Sequence, residues 1–127
     1  MGRPDVHRPW ADEPDSVLLE GSFAPNGAGA VDQSTIKGAW ISSVARDNAG
    51  ELTLTMVDAF ARYEYVEAHL QMAAATDSCA QVGAVDLTAK TIKLHTLTAG
   101  AAADIAANAN NRVNVKLKVI NTGWTPL

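Results

Sequence analysis

RVNVKLKV, residues 112–119, alternates without a break: Val113, Val115, Leu117 and Val119 share one face, and Asn114, Lys116 and Lys118 the other. Side chains on an extended chain point to opposite faces with period two, so this pattern describes a strand with one buried and one wet face. Antiparallel sheets carry such strands, because one of their faces can stay in water. The same reading applies to Glu51–Met56, with Leu52, Leu54 and Met56 inward and Thr53 and Thr55 outward. It applies again to Thr91–His95, with Ile92 and Leu94 inward. Weaker strand patterns occupy 17–23, 36–46, 64–72 and 80–87. About seven short strands with turn residues between them predict a mainly β chain, an antiparallel β-sandwich or barrel.

The punctuation agrees. Asp47-Asn48-Ala49-Gly50 holds residues that tolerate turn geometry, so 36–57 reads as a β-hairpin. Pro25–Gly29 reads as a loop, and Asp86–Lys90 as a tighter connection. The alanine-rich run 99–109 is the exception: alanine has the highest helix propensity, so one or two helical turns are expected there. Residues 58–66 fit a helical turn capped by Asp58, or the start of a strand. At most one short helix is expected in all.

Residues 1–16, MGRPDVHRPWADEPDS, differ from the rest. Pro4, Pro9 and Pro14 remove backbone donors and push their predecessors into extended geometry. The segment reads as an extended N-terminal arm, leaving 17–127 as a single β domain. Val6 and Trp10 are the arm's only large apolar side chains, and Trp124 lies beyond the last strand in NTGWTPL. A tryptophan removes on the order of 150–250 Å² from water when covered. Val6, Trp10 and Trp124 are therefore candidate partner-binding residues, docked on this chain or another. Trp40, inside the 36–46 segment, reads as core.

Composition excludes several classes. Fourteen acidic against ten basic residues give a net charge of −4, which argues against a charge-built nucleic-acid surface. No apolar run reaches the ~18–20 residues that cross a bilayer, and no apolar core of a signal peptide opens the chain. The single cysteine, Cys79, forms no internal disulfide. His7, His69 and His95 lack the close-spaced partners of a metal site, so no metal or other cofactor is expected. No nucleophile elbow, P-loop or dinucleotide fingerprint is present, and carboxylates such as Glu64 and Glu67 read as solvated. No catalytic residue is assigned, and the chain reads as a non-enzyme. A basic patch of Lys93, His95, Lys116 and Lys118 forms only if their two strands pair.

Between Glu20 and Val57, Gly21, Phe23 and Pro25 form a Gly-x-Phe-x-Pro loop. A strand from Gly38 to Arg46, a turn at Gly50 and the threonine strand Leu52–Thr55 follow. In style and order this resembles small virion proteins of tailed double-stranded DNA bacteriophages, with Lys90-Thr91-Ile92 and Arg112–Val115 agreeing in character. The resemblance implies a capsid decoration, or cement, protein. Such a protein is made in the host cytoplasm and sits on the outer capsid surface of the virion. Its partners would be the major capsid protein and copies of itself, a homotrimer being favoured, with no direct nucleic-acid or membrane contact. The alternatives are a tail, connector or fibre-base protein completing a neighbour's sheet through 97–112, and a carbohydrate- or surface-binding module. The last would need an aromatic platform, which seven aromatics barely supply.

Overall fold

The structure, a computed structural model, describes residues 16–120. Eight strands follow in order: β1 Ser16–Phe23, β2 Ile41–Asn48, β3 Glu51–Met56, β4 Arg62–Gln71, β5 Ser78–Asp86, β6 Thr91–Thr98, β7 Ala101–Ala102 and β8 Arg112–Ile120. A 3-10 turn at Gln33–Thr35 is the one helical element among the described residues. The strands form two antiparallel sheets, β1-β8-β4 and β2-β3-β6-β5, with β7 added on β6. This is the expected sandwich, without barrel closure. The clean alternation of β8 has its cause here: β8 is the middle strand of its sheet, paired on both sides. Its four inward residues are all buried, and they face Leu52, Leu54, Met56, Ile92 and Leu94 of the other sheet across one continuous core.

Four local expectations are corrected. Residues 99–109 form no helix. Ala99 and Gly100, at φ 55° and 81°, turn the chain tightly so that β7 pairs back on β6. Beyond it the chain is an extended strap. Ala103 N–H donates to the Thr96 carbonyl at 3.0 Å, the Thr96 hydroxyl donates to the Ala103 carbonyl at 2.7 Å, and Ile105 is buried. Helix propensity separates residues by only tenths of a kcal/mol, which these tertiary contacts outweigh. Gly50 lets the strap approach: at φ 71°, a Cβ there would sit 2.6 Å from both Ala103 N and Thr96 O.

The second correction is at 58–66. Residues 58–61 are bends and coil, and β4 starts at Arg62. In the third, strand β2 begins at Ile41, five residues later than expected, because Ile36–Trp40 packs as a loop against β1. In the fourth, Trp40 is buried as expected but lies in the turn before β2 and not within a strand.

Candidate interaction surface

The register of the three-stranded sheet fixes where the terminal segments begin. Ser16, the first residue of β1, is paired with Ile120, the last of β8. Both segments carrying the sequence-designated residues therefore leave from adjacent strands at one end of one sheet. Val6, Trp10 and Trp124 themselves lie outside the described residues, as does most of the span read as the arm.

That end of the sheet carries exposed apolar side chains. Val17 and Tyr63 flank Val119 in one row, and Leu18 and Tyr65 flank Lys118 in the next. All four are among the exposed large hydrophobics, Leu18 being 49% exposed. The first row shares the inner face with buried Val119 and the second the outer face with Lys118, so this end of the sheet exposes apolar side chains on both faces. Apolar exposure concentrated at one place marks an interaction site more than scattered single residues do. Sequence reading missed Val17 and Leu18, because alternation assigns a face and does not say where cover ends. Lys118, the middle residue of the second row, holds its Nζ 3.1 Å from Glu64, a bulge residue of β4.

The two lateral sides of the sandwich are built differently. On the side where β1 meets β2, side chains and loops occupy the strand edges. The Gln33 amide takes the place of a neighbouring strand: its Oε1 accepts from Val44 N–H at 3.0 Å and its Nε2 donates to the Val44 carbonyl at 2.8 Å. The Trp40 indole donates to the Glu20 carbonyl at 2.8 Å, and Lys37 exchanges two backbone hydrogen bonds with Ser22. Arg112 reinforces this side by donating to the Ser22 hydroxyl and the Thr35 carbonyl. On the side where β4 lies beside β5, no such plug is present among the described residues.

The remaining polar groups form structural ties. Arg46 and Asp104 make a two-pronged ion pair at 3.0 and 2.8 Å, and Gly50 N–H also donates to Asp104 at 3.1 Å. The Arg46 guanidinium holds the Asp104 carboxyl below its usual range; partial burial opposes this and the Gly50 N–H adds to it. On the outer face of the larger sheet, the Thr53 hydroxyl donates to Asp47, and Lys93 donates to Thr53 at 2.7 Å and Asp47 at 3.3 Å. Asp47 is held below its usual range, first by Thr53 and then by Lys93.

The basic patch does not assemble. Lys93 and His95 belong to β6 and Lys116 and Lys118 to β8, which stand in different sheets. His69 is exposed 3.1 Å from Glu67, His95 lies against Gly83 of the adjacent strand β5 in the larger sheet, and Cys79 is exposed on β5. Among the described residues no three His, Cys, Asp or Glu side chains converge as a metal site would need. Three depressions in the surface are open to solvent. One of about 470 Å³ on the outer face of the smaller sheet is lined by Glu20, Ser22, Lys37, His69, Asn114 and Lys116.

Comparison with protein families, with curated proteins and with solved structures found no match for this chain.

Proposed function

We propose that this chain is a non-enzymatic structural protein of a tailed-phage virion, a decoration protein that binds the outer capsid surface and bridges capsomers of the expanded shell. The observation that carries the reading is the Ser16–Ile120 pairing. It starts both tryptophan-bearing segments from one end of the smaller sheet, beside exposed Val17, Leu18, Tyr63 and Tyr65. An anchoring end of this kind suits attachment to a large surface, with the packed sandwich behind it. An extended arm adds main-chain hydrogen bonds to a neighbour's edge, and many copies on a lattice turn modest contacts into firm attachment. Stabilisation of the shell follows from linkage: a ligand that binds the expanded lattice better than the unexpanded one shifts the equilibrium by that difference in affinity.

Co-sedimentation with expanded capsid shells tests the reading. Full-length protein should pellet with shells, and a variant lacking residues 2–15 should stay folded, since Ser16 and the β1 ladder remain, yet stay in the supernatant. Trp10→Ala should weaken pelleting by at least tenfold, as expected for an interface anchor. Binding unimpaired by the deletion would remove the arm from the mechanism, and no binding by the full-length protein would remove the decoration role.

A further inference from the structure

We propose that β4 is the edge through which two copies of this chain join, antiparallel, about a twofold axis at Ala68. The inference does not rest on the virion reading.

The first observation is incomplete burial. Of the partly buried apolar residues around the core, Val66, Ala68 and Leu70 lie on β4 and Val82 and Val85 on β5, against Leu19 and Ile36 on the β1–β2 side. Their neighbours on β8 are fully covered, although Val66 is paired with Leu117 and Leu70 with Val113. The core is therefore closed beneath the middle strand and open at β4. The second observation is the edge itself. Among the described residues, no loop or side chain bonds to the main chain of Tyr65–Gln71 on its outer side, in contrast to Gln33 on β2. An unpaired strand edge is a template for another strand, added at about 4.8 Å. The neighbouring edge, β5, is interrupted by an irregularity between Val82 and Val85, whereas β4 is regular from Tyr65 to Gln71.

The third observation chooses the partner. Strand β4 is complementary to itself. Antiparallel pairing about Ala68 sets Glu67 opposite the partner's His69 and His69 opposite the partner's Glu67, both on the outer face. In the same register Val66 meets the partner's Leu70, and Tyr65 the partner's Gln71. A twofold contact is isologous, so each favourable pair occurs twice. Moving the axis to Glu67 would set two carboxylates against each other, and like charges directly opposite are destabilising. Moving it to His69 would lose both Glu–His pairs. The register about Ala68 joins two three-stranded sheets into one continuous six-stranded sheet and covers the half-buried face of β4. The β4 edge thus supports a twofold pair, in place of the threefold assembly implied by the phage resemblance.

The test is the mass of the full chain by sedimentation equilibrium over a range of concentrations. Wild type should reach twice its 13.3 kDa. His69→Glu sets a second carboxylate opposite Glu67 and should raise the dissociation constant at least tenfold. The exchange Glu67→His with His69→Glu restores the complementary pairs in reverse and should restore the dimer. Both side chains are exposed, and within one chain His69→Glu loses only the solvent-exposed contact to Glu67, so the melting temperature of the isolated monomer should shift by no more than a few degrees. A monomer at all concentrations, a trimer, a dimer indifferent to His69→Glu, or a failed exchange would each overturn the proposal.

Discussion

The two sides of this sandwich solve the same problem in opposite ways. Where β1 meets β2, strand edges end on the molecule's own groups: Gln33 on Val44, Trp40 on Glu20 and Lys37 on Ser22. The packing there is also tight, since a Cβ at Gly21 would meet Ile41 Cδ1 at 2.5 Å and the Lys37 carbonyl at 2.9 Å. Where β4 lies beside β5, the apolar residues are half-covered and the edge of β4 has no plug among the described residues. Blocked edges keep a β-protein from pairing at random, and an edge left open where others are blocked reads as the one meant for use.

The sharpest way to break that comparison is to make the same substitution on each side. Val44 on β2 is buried, 2% exposed, while Val66 on β4 is only partly buried. Removing methyl groups from a closed core loses both transfer free energy and packing. Val44→Ala should therefore cost about 2 kcal/mol, and Val66→Ala under about 1 kcal/mol in the dilute monomer. Chemical denaturation at low and high protein concentration checks this. If β4 pairs with a second copy, the Val66→Ala cost should grow with concentration and the Val44→Ala cost should not. Equal costs at both sites would mean that the core is closed on both sides.

The fold was legible where each residue's environment follows from its own segment. β8 and β3 alternate because each has neighbours on both sides and one face on the core. Failures came where the deciding contact is remote in sequence. Nothing within the run at 99–109 announces that Thr96 and Gly27 will take its backbone groups and the Gly50 N–H its Asp104 carboxylate. Likewise Ile36–Trp40 reads as strand until Ser22 and Glu20 of β1 claim Lys37 and Trp40. Of the candidate site, the sequence supplied the tryptophans but not the apolar ground beside their points of departure. Val17 and Leu18 belong to a plausible strand, and their exposure depends on where the opposing sheet stops.

A middling effect is expected at the tie between the strap and the β2–β3 hairpin. Asp104 has a depressed carboxyl pKa, so its contribution is fully present above the unfolded-state value of about 3.9 and is lost as pH falls through the lower folded value. Asp104→Asn should lower the melting temperature by ~5 °C at pH 7. The gap between variant and wild type should narrow only below about pH 4. A gap that is constant down to pH 3 would mean that Asp104 acts through its shape and not its charge.

A small change in stability, and the most pointed test of the two-sided design, is expected at Gln33. Gln33→Ala leaves the Val44 N–H and carbonyl without their amide partner at the β2 edge. Water can reach them in the open groove beside Ser42–Arg46, so the loss should be only about 1 kcal/mol. The larger consequence is association. With the amide gone, β2 offers outward-facing main-chain groups beside the small side chains Ala28, Ala30 and Ser43, which leave room for a strand to approach. Sedimentation should then show concentration-dependent assembly that His69→Glu does not suppress, because it uses the other side of the molecule. If Gln33→Ala changes stability but leaves association as in wild type, the glutamine is a fastening and not a guard. The contrast between a blocked side and an open one would then rest on β4 alone.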